Sequence, residues 1–283
     1  STSTRSASGM ANAPFGSYKP TGLAATLLAL TQKTVFGRGH LRKAIGKYLR
    51  TKVTTPLDVQ LWGRNARLHL QSNYSEMKAV LNPAQYSSSD FHFIRKHLPA
   101  TGTFIDIGAN AGMFSLFASS LLKRGGTVLA VEPQPEIFRR MKYNMTVANN
   151  LASEGVRSVL VQAAIGPENG TAELAIPDEL GQASLRTEVG GDKINVPMIP
   201  LGDLLKREGI AHVDVMKIDV EGFEDAVRQT FFEKEARPLF PRAVLIEHCN
   251  SFRWKWDCIA GMLKVGYVQA HRDKANVFLT LPG

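Results

Sequence analysis

A set of acids and one histidine stands where short apolar runs stop. Asp106 interrupts Phe104-Ile105-Asp106-Ile107 just before the small-residue stretch Gly108-Ala109-Asn110-Ala111-Gly112. Glu132 follows Val128-Leu129-Ala130-Val131, Asp219 and Glu221 follow Val215-Met216-Lys217-Ile218, and Glu247 and His248 follow Ala243-Val244-Leu245-Ile246. Charge at the end of a buried strand is costly unless it is paired or wetted in a site. Such strand ends therefore mark a candidate pocket.

The small-residue stretch sits between an apolar strand and an amphipathic helix. Small residues let backbone approach a ligand closely, and a helix N-terminus offers free N–H groups. Asn110 falls where a positive φ is expected, which Asn tolerates better than most residues. A dinucleotide turn reads G-x-G-x-x-G. Here the chain reads G-A-N-A-G, with an acid two residues before the first glycine. That carboxylate would repel a pyrophosphate, which argues against a nicotinamide-linked oxidoreductase. It suits a cation carrying an ammonium and a sulfonium, namely S-adenosylmethionine. Asp106, Gly108, Ala109, Asn110 and Gly112 are then the residues expected at the methionine end. Glu132, 24 residues after Gly108, can accept hydrogen bonds from both ribose hydroxyls. Gln162 and Ala164, after the third strand, are expected to border the adenine.

Methyl transfer from a sulfonium leaves a neutral thioether, so no acid is needed, while an attacking hydroxyl must lose a proton. Asp219 and His248 are the candidate bases, with Glu221 and Glu247 orienting the acceptor or the base. The loop from Pro177 to Asp192, holding Gln182 and Ser184, is a candidate cover for the acceptor. For His248 the plain alternative is a structural histidine, and for Lys217 it is an ion pair with a carboxylate. Asp219, Glu247 and His248 can be imagined around a metal, but no ligand spacing demands one, so none is expected.

Positioning these residues requires alternating strands and helices. Strands are predicted over 103–107, 127–131, 156–161, 213–218 and 243–246, with 265–270 and 276–279 as a closing pair. Helices are predicted over 88–98, 113–122 and 136–145, and from near Gly222. Alternation of this kind implies a parallel sheet covered on both faces. Thr171–Ile176 and Ile194–Ile199 read as an inserted hairpin. Short strands are expected between about Thr54 and Leu81, around a Gly63-Arg64-Asn65 turn.

Apolar residues at 44% and charged residues at 21% describe a folded chain. Two cysteines exclude a disulfide scaffold and a four-cysteine zinc site. The apolar run Leu23–Leu30 is too short to span a bilayer and lacks a clean small-residue cleavage site after it. The net charge of +9 is localised. No acid occurs before Asp58, while nine basic residues do, leaving 25 basic against 25 acidic residues in the remainder. Residues 1–57 thus form a basic N-terminal arm, expected to hold a disordered tail to Pro20 and an amphipathic helix carrying Leu41, Ile45, Tyr48 and Leu49 opposite Arg42, Lys43, Lys47 and Arg50. That helix either packs its apolar stripe on the core, or lies on an anionic membrane surface or meets an acidic partner. Residues 58–100 read as an extension packing on the core and 101–283 as the S-adenosylmethionine-binding domain. The expected location is cytoplasmic, with the arm as a peripheral contact to the inner membrane face. The neutral body argues against nucleic acid as a partner.

The runs Phe104-Ile-Asp-Ile-Gly-Ala-Asn-Ala-Gly112, Val131-Glu-Pro133 and Lys217-Ile-Asp-Val-Glu-Gly-Phe-Glu224 resemble the FkbM family of S-adenosylmethionine-dependent methyltransferases. Asn73-Tyr-Ser-Glu76, Ile199-Pro-Leu-Gly-Asp203 and Ile246-Glu247 are also similar to family positions, although the family more often has an acid where Gly202 stands. The resemblance runs from about Asn73 to Leu279. It implies a class I methyltransferase (Rossmann-like) fold with a seven-stranded, mostly parallel sheet. It also implies O-methylation of a hydroxyl on a sugar, a glycan or a natural product. A nucleic-acid methyltransferase is the weaker enzyme alternative, since the chain reads Asp219-Val220-Glu221-Gly222 where an N-P-P-Y-like turn would be expected. An adenosyl-binding module without catalysis, tethered to a membrane or partner, is the non-enzyme alternative.

Overall fold

The computed structural model describes residues 13–33, 39–176, 192–220, 224–235 and 237–283. The arm gives α1 (Gly22–Lys33) and α2 (Gly39–Lys52). A hairpin of β1 (Leu57–Leu61) and β2 (Arg64–Leu68) leads to α3 (Tyr74–Leu81) and α4 (Ser88–His97). Then β3 (Thr103–Ile107), α5 (Met113–Leu121), β4 (Thr127–Val131), α6 (Pro135–Lys142) and β5 (Arg157–Val161) alternate. The inserted hairpin is present as β7 (Gly170–Ile176) and β8 (Asp192–Ile199), joined by the short β6 (Ala164–Ile165) into a separate three-stranded sheet. The rest is α7 (Leu201–Arg207), β9 (Val215–Ile218), α8 (Glu224–Phe232), β10 (Ala243–Glu247), α9 (Cys258–Lys264), β11 (Val268–Arg272) and β12 (Asn276–Thr280).

The main sheet has seven strands in the order β11-β12-β10-β9-β3-β4-β5. The pairings from β10 to β5 are parallel, and β12 is antiparallel to both β10 and β11. Period-two alternation sorts the side chains between two cores. Phe104, Val128, Ala130 and Val215 face the layer of α1 to α5, while Ile105, Leu129, Met216 and Ile218 face the layer of α7 to α9. The chain leaves β3 in one direction to β4 and β5, then returns to place β9 on its other side. Strand order reverses there, and ligands of open α/β sheets bind at such a point, outside the carboxyl ends.

Two expectations are corrected. Residues 74–81 are helical, because Asn73 caps that segment by accepting from the N–H groups of Ser75 at 3.0 Å and Glu76 at 3.2 Å. The tail is ordered from Ala13 onward, and a buried ion pair is the reason. The Arg67 guanidinium donates to Asp58 twice, at 2.7 and 2.8 Å, and also to the carbonyls of Ala13 at 2.7 Å and Pro14 at 2.8 Å. Asp58 in turn accepts from the N–H groups of Gly16 and Tyr18, and Arg67 lies against the rings of Tyr18 and Tyr143. Residues 1–12 lie outside the described part.

The amphipathic arm helix is a domain helix. Ile45 and Leu49 are buried in the core, and a Cβ on Gly46 would meet Leu81 at 2.9 Å and Met77 at 3.3 Å, so α2 and α3 touch closely. Leu41 and Tyr48, from the same stripe, stay exposed at 44% and 41%. The hairpin turns at Trp62 and Gly63, both with positive φ, as a two-residue turn of the I′ kind needs. Trp62 is held in that geometry by donating to the Pro83 carbonyl at 2.9 Å and packing edge-on against Phe91 at 4.9 Å. Among the described residues, no helix is long and apolar enough to cross a membrane.

Removing one member of a buried, hydrogen-bonded ion pair typically costs about 3–5 kcal/mol. Asp58→Ala should lower stability in urea denaturation by that order and expose residues 13–20 to proteolysis, with Arg67 left unpaired in the core.

Candidate functional site

The parallel register sets the site. Ile107 pairs with Val131 on one side and Ile218 on the other, and Ile218 pairs with Ile246. Gly108, Glu132, Asp219 and Glu247 therefore all stand one step beyond a level line across four strands. They line one cleft of about 670 Å³. Gly108 has φ 73°, and a Cβ there would lie 1.7 Å from the Asp219 carbonyl oxygen, so the ends of β3 and β9 meet over a hydrogen atom alone. Asn110 has the positive φ expected of it, 51°. Its N–H donates to Glu132 at 2.9 Å, and its side-chain oxygen accepts from Asn73 at 2.6 Å and from the Ala111 N–H at 2.7 Å.

The wall between β3 and β9 carries buried charge. Asp106 and Lys217 are cross-strand partners in register and share the face toward α5. The Lys217 ammonium lies 3.5 Å from Asp106 and 3.2 Å from Asp219, donates to the Gly108 carbonyl at 3.1 Å, and sits over the Phe114 ring. Burial alone would lower the Lys217 pKa, but Asp219 and Asp106 hold it above the usual lysine range, so it stays charged. Burial raises the Asp106 pKa, and Lys217 and Ser115 oppose that rise, so one ammonium serves a deeply buried acid and the half-buried Asp219. Ser115 donates to one oxygen of Asp106 at 2.7 Å, while the other, Oδ1, is buried without a hydrogen bond.

Glu132 is the second acidic element. One oxygen accepts from Asn110 and the other from the Gln134 N–H at 3.0 Å. Each oxygen keeps a lone pair for a further donor. Burial pushes its pKa up to about 7 against those two N–H groups.

The candidates thus separate by position. Gly108, Asn110, Glu132, Ala164, Asp219 and Glu247 line the cleft. Asp106 does not; it is fully buried behind Lys217 and bears on the cleft through that ammonium. Ala109 is not on the wall either, since its N–H turns back to the Val131 carbonyl. Gly112 serves packing, because a Cβ there would press on Met141 of α6 at 3.1 Å. Gln162 is exposed and off the cleft, because the chain leaves the sheet after Val161 and starts β6 at Ala164. His248 is also outside the lining; its ring shares a hydrogen bond with the Asp273 carbonyl at 3.0 Å. Glu221 and the cover loop with Gln182 and Ser184 lie outside the described residues.

The opposite wall comes from the N-terminal extension, which sequence reasoning left without a chemical role. Ser75 and Tyr86 share a hydrogen bond at 2.7 Å and both line the cleft. Asp90, in the first turn of α4, is buried in the same wall and accepts from Asn276 at 3.0 Å. Burial raises its pKa to about 6. Only its acidity at a helix N-terminus was visible in sequence, and that is ordinary for a solvated first turn. Carboxylate oxygens of Asp219, Glu224 and Glu247 come within 4.8 Å of one another. Glu224 is already engaged, accepting from the Val220 N–H at 2.9 Å and the Trp254 indole at 2.7 Å.

An acid-lined crevice at the switch point, with a doubly hydrogen-bonded carboxylate at the end of β4, fits a cationic nucleoside. The methyltransferase FkbM domain family matches residues 106–250, just over half of the chain. The chain belongs to that family of S-adenosylmethionine-dependent methyltransferases, and its fold is the class I methyltransferase fold. Among curated relatives, methyltransferase sdnD of Sordaria araneosa is 26% identical over 159 residues, or 45% of this chain and 60% of that protein. The 31-O-demethyl-FK506 methyltransferase FkbM of Streptomyces tacrolimicus is 29% identical over 153 residues, or 43% of this chain and 56% of that protein. Each match spans less than two thirds of the relative's length. Among solved structures, the human methyltransferase 10 domain containing protein superposes with a TM-score of 0.44 at 14% identity, over 84% of this chain and 92% of that one.

Gly108→Ala should force the ends of β3 and β9 apart, lowering the melting temperature and weakening S-adenosylhomocysteine binding in calorimetry. A second expectation concerns pH. Ionised Glu132 accepts hydroxyl donors better than its acid form, and its pKa near 7 means that it is protonated below neutrality. Cofactor affinity should therefore fall, by up to about tenfold per pH unit, as pH drops below about 7. Glu132→Gln should weaken binding and flatten that step; a profile unchanged by this substitution removes Glu132 from the ribose role.

Proposed function

We propose that this protein transfers the methyl group of S-adenosylmethionine to a hydroxyl oxygen of a small, polar acceptor of the sugar or natural-product type. The observation that carries the reading is the pairing of two walls across one cleft. One wall is the acidic switch point of Asp219, Lys217 and Glu132, and the other is the Ser75, Tyr86 and Asp90 surface. A hydroxyl acceptor is further supported by the relative whose name states methylation of 31-O-demethyl-FK506.

When bound, S-adenosylmethionine supplies an electrophilic methyl on a positively charged sulfur. Glu132 and the Asn110 loop hold the nucleoside end through hydrogen bonds. Asp219 offers its charge to the amino-acid end, kept in place by Lys217. Asp219 is already committed to the Lys217 ammonium at 3.2 Å, which leaves the task of taking the acceptor's proton to another group. Asp90 suits that task better. Among the described residues no cation pairs with it, and its raised pKa, about 6, lets it be ionised at neutral pH while still holding a proton well. Tyr86 and Ser75 offer hydroxyls that orient the acceptor. A positioned base contributes typically about 10²–10⁴-fold, on top of the gain from alignment.

The test is a panel of sugar and natural-product alcohols incubated with methyl-labelled cofactor, with mass spectrometry locating the added group. Asp90→Asn should lower kcat by about 10²–10⁴-fold while leaving S-adenosylhomocysteine affinity unchanged. In the wild type at saturating cofactor, kcat/KM for the acceptor should rise with pH and level off above about 6, the value at which Asp90 loses its proton. Cofactor binding without transfer to any hydroxyl compound would count against the enzyme reading.

A further inference from the structure

The outer end of the cleft has the opposite charge to its floor. Arg42, from the arm helix α2, and Lys78, from α3, both line it, together with Ser87, Ser88 and Ser89 at the start of α4. Among the described residues the half-buried Arg42 has no ion pair, and the Lys78 ammonium lies over the Tyr74 ring at 4.6 Å without a carboxylate partner. A half-buried guanidinium without an acid is unusual, because its desolvation is uncompensated. Helix α2 holds no acid at all, so nothing on its own element neutralises Arg42. Ser87 adopts φ 44°, which turns the chain so that three consecutive serines face the opening beside the N-terminus of a ten-residue helix. The acid in that turn, Asp90, is buried in the same wall, where Asn276 at 3.0 Å and the Ser87 side chain hydrogen-bond to it.

We infer that this mouth binds a phosphoryl group on the acceptor, so that the substrate is a phosphorylated hydroxyl compound. The inference rests on the reading of the cleft as a hydroxyl-methylating site. A carboxylate has two oxygens and one charge. A phosphoryl group has three free oxygens and close to two charges, matching two cations from different helices plus several hydroxyl and N–H donors. The separation of signs is also useful. The acidic floor faces the cationic donor, and the basic mouth draws the acceptor's anion outward, which leaves its hydroxyl end toward Asp90. It also gives the arm, outside the matched family region, a direct part in substrate choice.

The probe is inorganic pyrophosphate, titrated into the full chain by calorimetry with and without S-adenosylhomocysteine. Saturable binding that weakens at least tenfold in Arg42→Ala/Lys78→Ala, with unchanged cofactor affinity and melting temperature, is the expected result. No saturable binding to the wild type, or equal binding to the double variant, overturns the inference. Because pyrophosphate is also titrated alone, a failure of cofactor binding strikes the donor reading and leaves the anion site standing. Phosphatidylglycerol vesicles separate the two sources of phosphate. Co-sedimentation that needs Arg42 and Lys78 and is displaced by pyrophosphate assigns the pair to a lipid headgroup and overturns the acceptor role. Co-sedimentation indifferent to the pair, or absent, supports it.

Discussion

The structure turns on one ammonium group held between two carboxylates. Lys217 on β9 meets Asp106 on β3 and Asp219 just past the strand, at the place where strand order reverses. Without the lysine, Asp106 would be fully buried beside a second acid with only Ser115 donating to it. With it, an ammonium 3.5 Å away and the Ser115 hydroxyl oppose the burial that pushes the Asp106 pKa up. The same contact ties together the two strands that must lie closest, since Gly108 leaves no room for a side chain against Asp219. Electrostatics and backbone approach thus fix each other.

Charge on a buried wall is tolerable because each group is satisfied from a different element. Asp106 takes a hydrogen bond from Ser115 on α5, Glu132 from the Asn110 loop and from Gln134, and Asn110 from Asn73 of the extension. The extension is therefore structural support for the donor end as well as the second wall of the cleft. Its own rigidity comes from an aromatic group in which Phe91 stacks on Phe117 at 3.8 Å and Trp62 meets both edge-on. Such contacts contribute about 0.5–1.5 kcal/mol each beyond area burial. The arm follows the same logic one layer further out: Arg67 and Asp58 pin residues 13–18, and Ile45 and Leu49 seat α2 on α3.

This layering explains why the cleft is graded. Residues nearest the sheet are acidic, with Glu132 buried and Asp219 and Glu247 half-buried, and they come from strand ends whose positions the register dictates. Residues nearest solvent are polar or basic, and they come from helices added before the sheet begins. A class of ligand that is cationic at one end of the reaction and anionic at the far end of the acceptor would use the whole gradient.

The sequence by itself determined the sheet and most of its acidic edge. Short apolar runs ending before Gly108, Glu132, Asp219 and Glu247, alternating with helical segments, read as buried parallel strands, and a parallel sheet brings their carboxyl ends to one side. The positive φ at Asn110 was legible because few residues adopt it. What sequence could not decide is which way a side chain faces once the strand has ended. Gln162 and His248 stand at the same edge but turn away from the cleft, because the chain there bends toward β6 and toward the β11–β12 turn. Asp106 was placed on the right strand but one layer too far forward, since Lys217 comes between it and the cleft. Asp90 and Tyr86 carried no signal, and Arg42 was legible only as part of a basic helix face, because acids at helix starts, tyrosines in loops and arginines on basic helices are ordinary. Only long-range packing, which folds residues 42–90 over the mouth of a site built mainly after residue 105, gives them a chemical role.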